Sequence, residues 1–261
     1  MEELITSPRL LCFDIECSTI TSRHFRVGEQ WMSASNIVND HFIISIAWQW
    51  YGVPAILSVA TTPEEALARD DSRIVSLFAE EARRADYFIY HNGDRFDNKL
   101  LNSRLLKHNI EPVGETKSFD TLKLSRKYFG EHSNKLDDLG ARHLGERKLD
   151  TDMQLWIDCE AGNQEALDRM VCYNKHDVRL TTKLFDKFRP FVHIRDKIAA
   201  KAVVNKDKVD YNLSQHECNQ CGEVGSSRIY KKYITAANNL KFYVRCKSCK
   251  GYGALKGTYR G

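Results

Sequence analysis

The first regular pattern in the chain is an apolar run near the N-terminus that two carboxylates interrupt. The run LLCFDIE, residues 10–16, predicts a buried β-strand. Successive side chains of a strand point to opposite faces, so Asp14 and Glu16 lie on the same face. Burying two carboxylates together is costly unless a cation lies between them, which indicates a divalent metal site. The alternative is a strand end that carries two acids into solvent.

The hydrophobic pattern further along the chain predicts alternating strands and helices. Apolar runs at 41–50 and 53–60 predict two strands that continue antiparallel from the first, and the run at 87–90 predicts another strand. Helical spacing predicts helices that start at 62–65 and at Asp97, and further ones over 121–128, 136–144 and 164–188. The polar stretch 18–40 has no clean periodicity, and we expect a long loop there.

Two further acids are placed by these elements so that they can reach the pair on the first strand. Asp97 follows the turn signal Asn92-Gly93 and begins a helix, so its side chain can return toward the sheet edge. The alternative is an ordinary first-turn acid that the helix dipole favours. Tyr173 and Asp177 are four residues apart in the longest helix, which puts them on one helical face.

Composition and charge indicate a globular protein with an uneven charge distribution. The 261 residues are 42% hydrophobic, which allows one ordinary core and a small second domain. No apolar run is long enough for a membrane span and the first residues are acidic, so we expect a cytoplasmic, intracellular protein without membrane contact. Residues 211–261 carry nine Lys or Arg against two Asp or Glu, although the net charge of the whole chain is only +4. An acidic body with a basic tail is typical of a metal-binding core joined to a module that binds polyanions.

Four of the eight cysteines have the spacing of a zinc site. Cys218 and Cys221 form one CxxC pair, and Cys246 and Cys249 form the other. Each pair can hold a tetrahedral ion through a tight turn while the segment between them forms a hairpin, which predicts a small zinc ribbon. Two disulfides in a secreted domain are the alternative. The remaining thiols, for which we expect buried free cysteines, are Cys12, Cys17, Cys159 and Cys172.

The segment between the CxxC pairs mixes aromatic and basic residues. Stacking of bases on the aromatic rings and pairing of phosphates with Lys231, Lys232, Lys241 and Arg245 would suit nucleic acid. We therefore expect this segment to contact nucleic acid, with protein docking as the rival and packing around the metal as the plainer role of the aromatic residues.

Together the motifs resemble the DEDD (DnaQ-like) 3′–5′ exonuclease superfamily. Asp14-Ile15-Glu16, the segment NGDRFD at 92–97 and the pattern Tyr173-x-x-x-Asp177 are similar to its three motifs and stand in the expected order. The second motif particularly resembles the proofreading domains of family-B DNA polymerases, and Tyr173 places the third in the tyrosine (DEDDy) branch. The segment SNKLDDL, 133–139, is also similar to one that these domains carry. The resemblance covers about residues 9–188.

The resemblance implies an α/β, ribonuclease-H-like fold, in which a mixed sheet is flanked by helices and the acids gather at one edge. It implies two catalytic Mg²⁺ or Mn²⁺ ions held by Asp14, Glu16, Asp97 and Asp177, which together clamp the attacking water and the leaving 3′ oxygen. Tyr173 would orient the water. Asn92 and Phe96 are then candidate substrate contacts, although Asn92 can equally serve to steady the turn.

These observations predict an exonuclease domain over 1–198 and a linker with the zinc ribbon over 199–261, in which 198–208 extends as a helix. The expected function is a stand-alone 3′–5′ exonuclease acting on DNA 3′ ends, with single-stranded DNA as the preferred partner and one structural Zn²⁺ in the ribbon. A 3′–5′ exoribonuclease and a non-catalytic nucleic-acid-binding adaptor are the alternatives. A replication or repair protein is a further candidate partner.

Overall fold

The computed structural model describes residues 8–29, 31–114, 116–191, 217–218, 220–234 and 240–256, of which 229–234, 240–243 and 252–256 are described by their backbone alone. The chain divides into two compact units. Described residues up to 191 belong to the first unit, and those from 217 onward belong to the second. The predicted boundary at 198/199 and the predicted helical extension at 198–208 lie outside the described residues.

The first unit alternates strands with helices along most of its length. Its strands are β1 (Leu10–Cys17), β2 (Thr21–Ser22), β3 (Ile37–Asn39), β4 (Ile43–Trp50), β5 (Ile56–Ala60), β6 (Tyr87–Tyr90) and β7 (Lys117–Asp120). Its helices are α1 (Pro63–Ala68), α2 (Ser72–Arg83), α3 (Asp97–Lys107), α4 (Thr121–Tyr128), α5 (Leu136–Leu144), α6 (Met153–Glu160) and α7 (Gln164–Phe188).

Five of these strands form a mixed sheet with β1 at its centre. The strand order is β5-β4-β1-β6-β7, in which β1 is antiparallel to β4 and parallel to β6. A hairpin connects β4 to the edge strand β5, and the two strands are antiparallel. A crossover that contains α3 connects β6 to the other edge strand, β7, and these two strands are parallel. The three predicted antiparallel strands are therefore confirmed, and the central strand is covered on both faces, as its apolar sequence requires.

Helices cover the sheet on both faces. On one face, apolar residues of β1 such as Phe13 pack against Phe78 of α2 and Leu101 of α3. On the other face, Ile44 of β4 joins a cluster with Met170 of α7. A mixed sheet flanked by helices was predicted from the sequence, and the structure confirms it.

Several elements differ from the hydrophobic pattern. The stretch 18–40 is not only loop, because β2 and β3 pair there as a short ribbon. The helix that begins at Pro63 ends at Ala68, since Arg69 adopts a left-handed conformation with φ of 54°, and a separate helix starts at Ser72. The strand β7 and the helix α6 were not predicted; β7 carries one apolar residue in four, so its sequence has no strand periodicity.

The free cysteines of the first unit follow the expected burial with one exception. Cys12 and Cys159 are fully buried, and burial raises the pKa of each thiol to about 12. Cys17 is half-buried. Cys172 is exposed, so the prediction of burial was wrong for this residue. It precedes Tyr173 on α7 and therefore points about 100° away from the face that packs on the sheet.

The second unit is a small antiparallel sheet with the CxxC pairs at one end of its strands. Its strands are β8 (Ser227–Ile234), β9 (Leu240–Cys246) and β10 (Tyr252–Lys256), in the order β10-β9-β8. The central strand β9 ends at Cys246, and a turn leads to Cys249 before β10 begins. The hairpin predicted between the cysteine pairs is therefore present as β8 and β9.

Among the described residues, none of the helices combines the length with the apolar character that a bilayer crossing requires.

Candidate active site

The central strand β1 turns one face toward α7, and that face carries the two predicted carboxylates. Asp14 and Glu16 are half-buried there, whereas Phe13 and Ile15 point into the opposite core layer. Asn174 of α7 donates from Nδ2 to Asp14 Oδ2 at 2.7 Å and to the Asp14 carbonyl at 3.1 Å. This pair of hydrogen bonds fixes the Asp14 carboxylate relative to the helix.

Helix α7 supplies a third carboxylate. One oxygen each from Asp14, Glu16 and Asp177 lies within 4.8 Å of the other two. Asp177 is 1% exposed, and its Oδ1 accepts no hydrogen bond from the residues that the structure describes. Buried carboxylate oxygens are seldom left without a partner, so this group of oxygens is suited to a cation. Tyr173, also buried, lies one helical turn before Asp177.

Burial and mutual repulsion act on the protonation of this group. Burial, followed by the negative charge of Asp177, raises the pKa of Asp14 to about 7. Burial also raises the pKa of Glu16 well above its ordinary value, and the charge of Asp14 adds to the effect. Burial raises the pKa of Tyr173 to about 12, with a further contribution from Asp177. Burial and mutual repulsion destabilise the negative charges of these carboxylates, so the binding of a cation among them would be favourable.

Asp97 lies beside this group, but its contacts differ. Its Oδ1 accepts a hydrogen bond from the backbone N–H of Ile15 at 2.9 Å. The parallel pairing of β1 with β6 covers only Leu10 to Cys12, so the carboxylate takes up a strand donor beyond the last paired residue. Burial and the charge of Asp14 raise the pKa of Asp97. The structure thus brings three of the four predicted acids into one group of oxygens and places the fourth at its margin.

The turn between β6 and α3 positions Asp97. Asn92 has a φ of 66°, and its backbone N–H donates to Asp120 Oδ1 at 2.8 Å. A Cβ on Gly93 would lie 2.2 Å from the ring of Tyr90, so only glycine fits at this position. Asp120 is the last residue of the unpredicted strand β7, and the hydrogen bond that it accepts from Asn92 stabilises the turn. Asn92 was considered both as a substrate contact and as a residue that steadies the turn. Its backbone conformation and hydrogen bond support the second role.

Lys148 is a member of the site that the sequence analysis did not identify. Its Nζ lies 2.6 Å from Asp177 Oδ2 and 4.8 Å from the centre of the Tyr173 ring. Burial alone would lower the pKa of Lys148, but the carboxylate of Asp177 outweighs it and raises the pKa. A single ammonium therefore offsets part of the charge of three acids.

A cleft of about 560 Å³ begins at Lys148 and extends along the segment that follows α4. Asn92 and residues 133–137 of the SNKLDDL segment line it, with Asp137 as an acid and Arg126 and Lys135 as basic residues. His91 also lines the cleft, but burial lowers its pKa to about 4, so the ring is neutral at pH 7. Phe96 is 43% exposed. Its three basic residues, Arg126, Lys135 and Lys148, outnumber the one acid Asp137, and Lys148 connects the cleft to Asp177 of the acidic group.

A second group of acids lies elsewhere in the first unit. Side-chain atoms of Asp70, Asp71 and His108 also lie close enough together to hold an ion. The Asp71 carboxylate, however, accepts two hydrogen bonds at 2.6 Å from the guanidinium of Arg104, one at 2.7 Å from the Ile43 N–H and one from His108. Both oxygens are already satisfied, so this group is a buried ion pair that joins α2, α3 and β4.

The four patterned cysteines of the second unit lie together. One sulfur from each of Cys218, Cys221, Cys246 and Cys249 lies within 4.8 Å of the others, which could form a metal site. The Ser226 hydroxyl and neighbouring backbone N–H groups lower the pKa of Cys246 to about 6, which favours the thiolate that a metal requires. Of the predicted nucleic-acid contacts, the Arg245 side chain is half-buried. The side chains of Lys231, Lys232 and Lys241 lie outside what the structure describes.

Sequence reasoning missed Lys148, Asn174 and Asp120 for different reasons. Asn174 is four residues from both Met170 and Val178 in the apolar stripe of the longest helix, and this position was the available signal, because a buried amide needs polar partners. It accepts a hydrogen bond from the Ser45 hydroxyl at 2.9 Å while it donates to Asp14. Lys148 lies in a polar loop before α6, where no periodic pattern distinguishes it from other basic residues.

The comparisons with known proteins address the fold directly. A protein-family model described as "RNase_H superfamily" matches residues 41–189, which is more than half of the chain. The chain belongs to the RNase H superfamily. The predicted ribonuclease-H-like fold is therefore confirmed, and the chain has an RNase H-like nuclease fold.

Among solved structures, this RNase H superfamily member is similar to the family B DNA polymerase from the hyperthermophilic archaeon Pyrobaculum calidifontis. The two chains superimpose with a TM-score of 0.52 and 16% sequence identity, over 75% of this chain and 26% of the polymerase. The match spans about a quarter of that polymerase and agrees with the resemblance given by the three motifs. A search of curated proteins found no match.

Proposed function

We propose that this chain is a metal-dependent 3′–5′ exonuclease of the DEDDy type that hydrolyses phosphodiester bonds at DNA 3′ ends and prefers single-stranded ends. The observation that carries the proposal is the group of oxygens from Asp14, Glu16 and Asp177, in which Asp177 Oδ1 has no hydrogen-bond partner among the described residues. Hydrolysis would add water across the terminal phosphodiester bond and release a nucleoside 5′-monophosphate and a new 3′ hydroxyl. The proposal concerns the chain acting by itself.

The donor set fits hard divalent cations. Asp14, Glu16 and Asp177 offer only oxygen ligands, which suits Mg²⁺ or Mn²⁺, and Asp97 lies close enough to contribute charge. When bound, such ions would neutralise the developing negative charge and lower the pKa of water. In the absence of metal, Lys148 supplies the positive charge to Asp177.

The remaining residues would hold these acids and the water in place. Asn174, itself held by Ser45, keeps the Asp14 carboxylate in a fixed orientation. The pKa of Tyr173, raised to about 12, keeps its phenol protonated at pH 7, so Tyr173 would position a water by a hydrogen bond rather than remove its proton. Because Tyr173 would not remove the proton, the loss of the proton would depend on the lower pKa that water has beside a bound divalent ion.

The cleft beside the site supports a polyanionic substrate. Arg126, Lys135 and Lys148 line it together with Asn92, and the exposed ring of Phe96 immediately precedes Asp97 in the chain. We propose that Asn92 and Phe96 contact the terminal nucleotides. DNA is the preferred substrate because of the motif resemblance; hydrolysis of RNA instead would make the chain an exoribonuclease.

The second unit is proposed to be a zinc ribbon that binds nucleic acid. The four clustered sulfurs would hold one structural Zn²⁺, and Lys231, Lys232, Lys241 and Arg245 would contact phosphates. Cys218→Ser should lower the zinc content measured by mass spectrometry, whereas Cys172→Ser, which changes an exposed cysteine outside the cluster, should not. Deleting residues 211–261 should weaken DNA binding and flatten its salt dependence; unchanged affinity would favour docking of a replication or repair protein instead.

The activity is tested by a time course on matched single-stranded DNA and RNA oligonucleotides labelled at the 5′ end. With Mg²⁺ or Mn²⁺ we expect a ladder that shortens from the 3′ end, and we expect EDTA and Asp14→Asn to abolish it. Glu80→Gln, which removes an exposed carboxylate of α2, is the matched control and should retain the activity. If neither strand is cut with either metal while both are bound, the chain is a binding adaptor on a nuclease fold.

A further inference from the structure

The stretch between β1 and β4 forms an arm, defined by the described residues 18–29 and 31–41. Its two strands pair at Thr21 with Asn39 and at Ser22 with Ile37. The Arg23 N–H continues this pairing by donating to the Asn36 carbonyl at 2.9 Å. The arm begins two residues after Glu16, so it leaves the sheet directly beside the acidic group.

One arginine ties both ends of the arm to the domain. The Arg69 guanidinium donates to the Ser18 hydroxyl at 3.0 Å and the Thr19 carbonyl at 3.1 Å at the start of the arm, and to the Asp40 carbonyl at 2.8 Å at its end. Glu160 of α6 accepts from Arg69 at 2.9 Å and from both the N–H and the hydroxyl of Thr19 at 2.7 Å. The base of the arm is therefore held rigidly on α1 and α6.

The outer part of the arm exposes large apolar side chains. Phe25 and Val27 are fully exposed, and Trp31 is 94% exposed. Solvent-exposed aromatic rings of this size in a well-anchored element favour a binding surface over core packing. Two arginines, Arg23 and Arg26, are exposed in the same stretch.

We propose that this arm binds single-stranded nucleic acid, with bases stacked on Phe25 and Trp31 and phosphates paired with Arg23 and Arg26. The proposal rests on the proposed nuclease function and extends it by naming the surface that would hold the strand beyond the acidic group. Unpaired bases stack on exposed rings irrespective of sequence, whereas the bases of a duplex are already stacked on one another. Alternating arginine and aromatic residues complement a strand that is charged along its backbone and apolar on its base faces.

The test measures binding without catalysis. In EDTA, a fluorescence titration with a single-stranded DNA of about 20 nucleotides should show affinity about tenfold or more weaker for the double variant Phe25→Ala/Trp31→Ala than for the unchanged chain. The matched control is Leu106→Ala, which removes an exposed apolar side chain of α3 and should leave the affinity unchanged. Affinity for a blunt duplex of the same length should not depend on Phe25 or Trp31.

A second readout separates stacking from a folding defect. Stacking of a base on Trp31 should quench tryptophan emission on binding, and Trp31→Phe should remove that part of the quenching while it preserves affinity, because phenylalanine also stacks. Unchanged affinity in the double variant would overturn the proposal, as would quenching that is undiminished in Trp31→Phe. Self-association of the chain that the double variant abolishes, without any change in DNA affinity, would instead identify the arm as a contact between copies. Because no hydrolysis is measured, an inactive chain would refute the proposed function and leave this test valid.

Discussion

Asp71 and Asp177 are both almost completely buried carboxylates, at 0% and 1% exposure, yet their surroundings differ. Both oxygens of Asp71 are satisfied by Arg104, His108 and a backbone N–H. Asp177 has Lys148 on one oxygen, and the other accepts nothing from the described part of the chain. Each carboxylate also belongs to a group of atoms close enough to hold an ion.

Proximity of acids therefore does not by itself indicate a metal site. A buried carboxylate whose hydrogen-bonding capacity is filled by a guanidinium is a structural ion pair, and removing its partner is expensive. A buried carboxylate that remains partly unsatisfied, beside two further acids, lowers stability in the free protein and gains from a bound cation. Four variants or conditions test this distinction.

Glu16→Gln should have the largest effect, and it should be an effect on activity. Loss of one carboxylate from the acidic group should slow hydrolysis by a factor on the order of a thousand, because transition-state charge is no longer stabilised. The same change should not lower the free energy of unfolding in EDTA, because it removes a charge that burial and Asp14 oppose. Denaturant unfolding beside a steady-state assay measures both; a destabilised but active variant would reverse the assignment.

Arg104→Met should have the largest effect on stability. It leaves the Asp71 carboxylate buried without its main partner, so the free energy of unfolding should fall by about 3–5 kcal/mol. Adding Mn²⁺ should not restore it. The double variant Arg104→Met/Asp71→Asn should recover part of the loss, as urea titrations of the two proteins can show. Recovery of the single variant by Mn²⁺ would mean that this group is also a cation site.

Lys148→Met should have a smaller effect that depends on metal. The lysine side chain is 31% exposed, so solvent screens its pair with Asp177, and we expect a loss of about 1–2 kcal/mol in EDTA. Saturating Mn²⁺ should reduce this difference, because a bound cation offsets the same carboxylates. Thermal unfolding with and without Mn²⁺ measures both values. A loss that is independent of metal would separate Lys148 from the cation site.

The pH dependence of stability should follow the protonation of Asp14. The pKa of Asp14 is raised from 3.8 to about 7 in the folded protein, so the folded state retains a proton that the unfolded state releases. In EDTA, the contribution of Asp14 to stability should therefore fall as the pH rises from about 4 to about 7 and stay level above that. The difference in unfolding free energy between the unchanged chain and Asp14→Asn isolates this contribution. A difference that grows in the opposite direction would contradict the raised pKa.

The parts of the site that follow a local period were predictable from the sequence. The period of two along a strand places Asp14 and Glu16 on one face, and the structure confirms that face opposite Phe13 and Ile15. The spacing of four residues puts Tyr173 and Asp177 on one buried face of α7. Asp120 and Lys148 were not predictable in this way, because each belongs to a segment without apolar periodicity and acts on residues that are distant in the chain.

The sequence alone was enough to place the central strand, the longest helix, the cysteine pairs and the order of the acidic motifs, because propensity, periodicity and short-range turns are encoded locally. Which acids lie close enough together to hold a cation, and which are neutralised, depends on the tertiary structure. Asp71 and Asp177 are both acids placed near helices in the sequence, and Arg104 and Lys148 are both ordinary cations there. Their difference arises from packing, since burial and the geometry of distant partners set whether a charge is compensated.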